Sequence, residues 1–194
     1  MNDHKGFFAM MARMKYIERW ALMRNSVSEN ICEHSLEVAM LAHGLGIIGR
    51  FGKDLSPERL AMLGMYHDCT EIITGDMPTP VKYANDELKE AYKAIEDSAA
   101  HRLLEMLPED LRAEYESYFL PEQITPEEYR YVKAADKLSA LIKCIEEEKT
   151  GNQEFRSAKQ ATYESLQQMN MPEVTVFCEV FLPEYYKTLD ELEH

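Results

Sequence analysis

His67 and Asp68 stand side by side in a stretch, Leu60 to Ile72, whose apolar residues recur at helical spacing. Successive helical residues point about 100° apart, so a ring nitrogen and a carboxylate at neighbouring positions can reach one point between them. Imidazole with carboxylate suits a borderline divalent cation. A His-Asp pair is also common as a hydrogen-bonded surface pair, so the dipeptide alone decides nothing. Two other segments offer partners. Glu33-His34-Ser35 opens a second apolar pattern, and Asp136 follows Ala134-Ala135 in a third that continues through Leu138, Leu141 and Ile142. An acid beside an apolar stripe is costly to bury unpaired and wants a cation or a donor. The bland alternative for Asp136 is a surface acid between Lys133 and Lys137. Glu71 lies four residues after His67 and three after Asp68, on the same helical face. There it could orient or deprotonate an attacking water, protonate a leaving oxygen, or simply sit solvated at a helix end.

The remaining histidines do not extend this set. His43 lies nine residues after His34, about half a turn round the helix. His101 belongs to a polar helical pattern and His4 to the N-terminus. The four cysteines, Cys32, Cys69, Cys144 and Cys178, form no C-x-x-C pair and read as free thiols. Cys32 and Cys69 flank the candidate ligands, and packing is the expected role of both.

Positioning such groups needs long elements, and the sequence supplies helices. One is expected over Phe7 to Glu18, with Met10, Met11, Met14 and Ile17 at helical spacing, followed by an irregular stretch from Ala21 to Asn30. The next carries Leu36, Met40, Leu41, Leu45 and Ile48 and ends near Gly49 to Gly52. Ser56-Pro57-Glu58 is a strong helix start, and that helix is expected to run to Gly75. Asp76-Met77-Pro78-Thr79-Pro80 is expected to be non-helical, since each proline biases the residue before it to an extended conformation. Further helices are expected over Lys82 to Leu107, Pro108 to Tyr118, Pro126 to Thr150, Glu154 to Met169 and Pro172 to Leu189. Val174 to Val180 is the one ambiguous run. The expectation is an all-α fold of packed helices, one domain for 194 residues. The closing Leu192-Glu193-His194 reads equally as native sequence or as the start of a tag scar.

Net charge is −14, from 21 basic and 35 acidic residues. So acidic a surface repels polyanions and makes nucleic acid a poor partner. A small phosphate ester would need local positive charge, which a divalent cation and an arginine can provide. There is no run of about 18 apolar residues and no secretory signal at the N-terminus, so the expectation is a cytoplasmic protein without a membrane partner.

Several segments together closely resemble one family. They are Arg19-Trp20-Ala21-Leu22-Met23-Arg24, Glu33-His34-Ser35-Leu36, Tyr66-His67-Asp68, Gly75-Asp76-Met77-Pro78-Thr79-Pro80-Val81-Lys82-Tyr83 and Lys133-Ala134-Ala135-Asp136. In order and spacing, over almost the full chain, they resemble the bacterial HD-domain 5′-deoxynucleotidases. The resemblance implies an HD-domain helical bundle and a homodimer, for which the apolar segment Val174 to Tyr186 offers an interface. It implies His34, His67, Asp68 and Asp136 as ligands of one divalent transition metal, cobalt or manganese being suited to this donor set. It also implies a catalytic role for Glu71. The substrate would be a 2′-deoxyribonucleoside 5′-monophosphate, cleaved to deoxynucleoside and phosphate without strong regard to the base. Arg19 would fork onto the phosphate, beside the metal ligands His34, Asp68 and Asp136. Trp20, the only tryptophan, would leave no room for a 2′-hydroxyl, although core packing is its ordinary role. The loop of Asp76, Met77, Pro78 and Thr79 would contact the nucleotide, with Asp76 facing a sugar hydroxyl. Two-metal HD proteins need further ligands, which His4, His43 and His101 do not supply, so one metal is expected.

Two other readings compete. One is a different HD phosphohydrolase, acting on triphosphates or cyclic dinucleotides; a triphosphate enzyme would need more cations than Arg19, for which Arg24 and Lys82 are the nearest. A non-catalytic nucleotide-sensing domain would be expected to lack a ligand or Glu71, and neither is missing.

Overall fold

The computed structural model describes residues 5–50, 55–82 and 84–193, with the Thr79 side chain also outside the description. His4, Gly52, Tyr83 and His194, which figure in the sequence reading, lie outside the described residues. Among those described, every regular element is helical: α1 (Phe7–Met11), α2 (Ile31–Ile48), α3 (Pro57–Tyr66), α4 (Glu71–Thr74), α5 (Thr79–Lys82), α6 (Asp86–Leu104), α7 (Glu109–Phe119), α8 (Pro126–Lys149), α9 (Arg156–Gln168), α10 (Pro172–Val180) and α11 (Leu189–Leu192), with short 3-10 turns between some of them.

The long helices start where the caps say they should. The Asn30 side chain accepts from the backbone of Cys32 and Glu33, and Glu33 returns a bond to the Asn30 N–H. Ser56 caps α3 with Pro57 at its first position. Thr125 caps α8 through a box with Glu128, again ahead of a proline. Two apolar cores result. One joins α2, α3, α8, α9 and α10 through residues such as Leu41, Leu45, Leu60, Leu138, Ile142 and Leu166. The other joins the N-terminal segment to α6 and α7 through Phe7, Ile31, Leu103, Leu107 and Phe119.

α2 and α3 cross closely because Gly64 has no side chain. A Cβ there would meet the Ala39 backbone at 3.0–3.1 Å. His34 and His67 lie about one turn beyond this contact on their helices, on the same side of it, with ring centroids 5.1 Å apart.

The structure corrects several expectations. The N-terminal helix stops at Met11, continues as a 3-10 turn over Ala12–Tyr16, and becomes extended at Ile17. Ile17 leaves the helix because its carbonyl takes the Ile31 N–H at 2.9 Å. The expected single helix from Pro57 to Gly75 is broken after Tyr66, and a short helix resumes at Glu71. The proline-rich segment does become helical, for one turn, over Thr79–Lys82: Pro80 falls inside that turn, and the Val81 and Lys82 N–H groups return to the Pro78 carbonyl. The last long helix ends at Val180, before Pro183, and the ambiguous run up to it is helical. On α2, Leu36 and Met40 face solvent (55% and 61% exposed), and Val38 and Ala42 take the buried positions. By length and composition alone α2 passes as a membrane-spanning helix, which the sequence reading did not anticipate. Half of it is buried inside the fold, and it carries Glu33, His34 and Glu37.

Candidate metal centre

Three elements deliver four side chains to one point. The Asn30 cap sets His34 one turn inside α2, where it is 1% exposed. Asp136 lies midway along α8, after Ala134 and Ala135, both fully buried. Small residues there let α8 lie close to α2. His67 and Asp68 occupy the break after α3, where the Cys69 N–H turns back to the Tyr66 carbonyl at 3.1 Å and the Glu71 N–H to the Asp68 carbonyl at 3.0 Å.

Asp68 Oδ2 lies 3.1 Å from His67 Nε2 and 3.4 Å from His34 Nε2. Asp136 Oδ1 lies 3.3 Å from His34 Nε2 and 3.9 Å from His67 Nε2. The donor atoms of His34, His67 and Asp68 fall within 4.8 Å of one another. Both Nε2 atoms are buried without a hydrogen-bond partner, an arrangement a protein rarely leaves uncompensated. The other nitrogen of each ring is held. His67 Nδ1 donates to the Gly64 carbonyl at 2.7 Å, which fixes the tautomer and leaves the Nε2 lone pair for the cluster. His34 Nδ1 lies 2.9 Å from Ser139 Oγ, whose own proton goes to Glu37 Oε2 at 2.5 Å. Arg19 Nη1 also lies 2.8 Å from this Nδ1 and can only donate, so Nδ1 serves Arg19 when bare and Ser139 when protonated; a ring that offers Nε2 to a cation takes the second form, with Ser139 Oγ accepting. The residues therefore fit a divalent metal: two buried Nε2 atoms, that of His67 with its lone pair turned to the cluster, and two carboxylates.

The electrostatics agree. Burial opposes the charge on Asp68, yet His67 and His34 hold its carboxyl well below the ordinary carboxylate range. Burial likewise opposes Asp136, and Lys133, with its Nζ 3.2 Å away, then His34 and His67 pull it down. Burial and the Arg19 charge press His34 downward, but its bonds to Asp136, Asp68 and Glu29 carry it up to about 10.

Glu71 is 7% exposed, and its Oε2 is buried without a partner. Burial, then Asp68 and Asp76, push its carboxyl up to about 9. Burial also raises Asp76, against the pull of Arg19 and of the Trp20 backbone N–H. Arg19 is brought to the centre as well, its Nη1 lying 2.8 Å from Glu29 Oε1 and 2.8 Å from His34 Nδ1. Trp20 adopts φ +60° and donates from Nε1 to Glu29 Oε2 at 2.7 Å. Met77 and Pro78 follow Asp76 on the loop, half-buried, and their bearing on the centre is through the loop's position rather than through a bond to the ligands.

His43 and His101 are exposed, away from the centre. Cys69 is buried, as its packing role requires, whereas Cys32 is exposed on the first turn of α2, contrary to the expectation. Arg24 is 87% exposed and pairs with Glu154, and Lys82 pairs with Glu96 at 2.8 Å. Residues the sequence reading did not single out are Glu29, Ser139 and Glu37. Ser139 and Glu37 each stand three positions after a candidate ligand on the same helix face, which is the signal that could have found them. Glu29 carries no such signal.

Residues 6–185 match the family described as 5′-deoxynucleotidase YfbR-like. A 5′-deoxynucleotidase of Vibrio cholerae is 47% identical over 188 residues, covering 96% of this chain and 97% of the relative. One from Erwinia tasmaniensis is 48% identical over 191 residues, covering 97% and 96%. Among solved structures, an HD-domain phosphohydrolase from Listeria innocua superposes with a TM-score of 0.80 at 22% identity, covering 96% of this chain and 91% of that one. A cyanophage S-2L HD phosphohydrolase, bound to dA and one catalytic Zn²⁺ ion, superposes with a TM-score of 0.65 at 23% identity, covering 93% and 96%. These two structures share the HD-domain fold with the present chain.

Proposed function

The chain belongs to the YfbR-like 5′-deoxynucleotidase family, and from that premise we propose that it cleaves 2′-deoxyribonucleoside 5′-monophosphates to deoxynucleoside and phosphate at the His34, His67, Asp68 and Asp136 cluster. The observation that carries this reading is the pair of buried, unpartnered Nε2 atoms facing two carboxylates, with Arg19 on the other nitrogen of His34 and Trp20 joined to Arg19 through Glu29. One divalent transition metal suits the donor set: cobalt or manganese, or zinc as in the cyanophage enzyme. Bound there, the metal would polarise the phosphoryl group and acidify a water. The chain's own residues do the rest. Arg19 supplies the positive charge that an acidic protein otherwise lacks and engages the phosphate oxygens. Glu71 holds a proton in reach of the reacting centre. Trp20 limits the space at C2′, and Asp76 accepts from a sugar hydroxyl, with Met77, Pro78 and Thr79 closing the loop over the nucleotide. The sequence carries no obvious base-reading motif, and the reading takes the four bases as accepted alike.

Matched ribo- and deoxyribonucleoside 5′-monophosphates with Mn²⁺ or Co²⁺ test this. The deoxy forms should turn over with a clear advantage in kcat/KM; equal turnover removes the sugar claim. A triphosphate substrate is disfavoured, because Arg24 and Lys82 already have acidic partners and Arg24 faces solvent.

The chain acts as a homodimer in the cytoplasm, where four free thiols are stable. The interface lies on the outer faces of α2 and α10, where Leu36, Met40, Val176 and Val180 are exposed. Val174, Phe177 and Leu182, part of the expected interface segment, are instead buried within the chain. Sedimentation should return twice the chain mass, and Met40→Glu should halve it. A wild-type mass of one chain removes the dimer.

A further inference from the structure

Glu29 is where the phosphate side and the sugar side of the centre meet. Its Oε1 accepts from Arg19 Nη1 at 2.8 Å and its Oε2 from Trp20 Nε1 at 2.7 Å. The side chain is 12% exposed.

The backbone is built to keep it there. Glu18 and Asn30 form an isolated antiparallel bridge, and the Arg19 N–H donates to the Glu29 carbonyl at 2.9 Å. The loop between them is clasped at its far end by Glu147, which is 1% exposed. Glu147 accepts from the Ser26 and Val27 N–H groups and pairs with Lys143 at 2.5 Å. Trp20 needs such holding. Its φ of +60° is costly for a bulky residue. Its ring is fixed on one side by Phe155, edge-on at 5.3 Å, and through its N–H by Glu29.

We propose that Glu29 is a positioning residue that sets phosphate affinity and 2′-deoxy selection together, by holding the Arg19 fork and the Trp20 ring on the two oxygens of one carboxylate. This rests on the roles given above to Arg19 and Trp20. A bond from Nη1 fixes the plane of the guanidinium, whose other donors then meet the phosphate in one orientation. A fixed indole is a wall, whereas one free to tilt would admit a 2′-hydroxyl.

The test compares wild type with Glu29→Gln and Glu29→Ala, with metal saturating. Glutamine keeps the shape, but its amide can accept from only one of the two donors and turns a donor on the other. Trp20 is the only tryptophan, so intrinsic fluorescence reports its setting directly, independently of turnover. Both variants should raise KM for the deoxy substrate by about tenfold or more, as loss of a charge-assisted bond predicts. They should also lower the deoxy-to-ribo preference by a similar factor and shift Trp20 emission to the red with greater acrylamide quenching. If ribo and deoxy substrates are affected by the same factor, or if emission does not move, Glu29 is only a loop anchor and the proposal falls. If the wild type itself shows no deoxy preference, the sugar claim falls with the selectivity half of this one. An emission shift would then still support Glu29 as the holder of Trp20. Should Glu29→Ala fail to fold, Glu29→Gln in a cycle with Trp20→Phe decides. Glu29→Gln should add no further loss of selectivity once the indole N–H is gone, and an additive loss overturns the coupling.

Discussion

Glu71→Ala should lower kcat by about 10²- to 10⁴-fold while leaving divalent-metal affinity almost unchanged, the usual scale for a lost general acid or base. The residue is close to the cluster, yet its carboxyl is not among the groups that converge on the two Nε2 atoms. Burial, Asp68 and Asp76 raise it to about 9. A carboxyl so raised carries its proton at neutral pH, which suits donation to the departing 5′-oxygen. A bound cation would lower the value, and the alkaline limb of the rate profile should mark where it then lies. The rate of an enzyme that needs this proton falls as pH rises through that value, and Glu71→Gln should lose the limb. A deoxynucleoside 5′-phosphorothiolate separates acid from base. Its thiolate leaves without a proton, so the Glu71→Ala loss should shrink on it if Glu71 is the acid and persist if Glu71 activates water. Undiminished activity on the natural substrate would end both assignments.

What could be read from residue types and spacing was the helical class, most of the helices and the residues that now converge. What could not was set by contacts distant in sequence. Leu60, Leu63, Tyr66 and Ile72 keep helical spacing through the break, so spacing alone predicts an unbroken helix at His67 and Asp68. Only the tight returns of Cys69 to Tyr66 and of Glu71 to Asp68 show the turn. Ile17 was read as helical for the same reason, and it leaves the helix for a partner fourteen residues on, at Ile31. Glu29 looks like any solvated acid before a helix cap until the chain closes Arg19 and Trp20 onto it. Ser139 shares a helix face with Asp136, which marks it as a neighbour of the centre, but its bond to His34 across 105 positions appears only when α8 meets α2. On α2, apolar residues at helical spacing suggested one buried face, but Leu36 and Met40 fall on the outside, where the proposed second copy would cover them.

His67→Ala should cost more in metal affinity than the roughly 10- to 100-fold typical of outer-shell partners, and activity at limiting metal should fall with it. The ring is held by the Gly64 carbonyl with Nε2 presented to the cluster, and alanine offers nothing in its place. The fold should survive, because His67 lies at the break after α3 and takes no part in either apolar core. His34 sets the pH dependence: against burial and the Arg19 charge, its bonds to Asp136, Asp68 and Glu29 raise it to about 10. The sign follows from the raised value. The protonated ring stabilises the metal-free fold fully below the ordinary histidine value near 6.5, and that contribution is lost as pH climbs through about 10. A metal must displace the Nε2 proton, so over the same interval its apparent affinity should rise by about tenfold per pH unit for one proton released. Calorimetry in two buffers of different ionisation enthalpy counts that proton at pH 7.5, and competition with a chelator from pH 6 to 9 gives the slope. Affinity independent of pH, with no buffer dependence of the heat, would mean that His34 meets the metal already neutral. Unchanged affinity in His67→Ala would remove His67 from the ligand set and leave its buried Nε2 without a purpose.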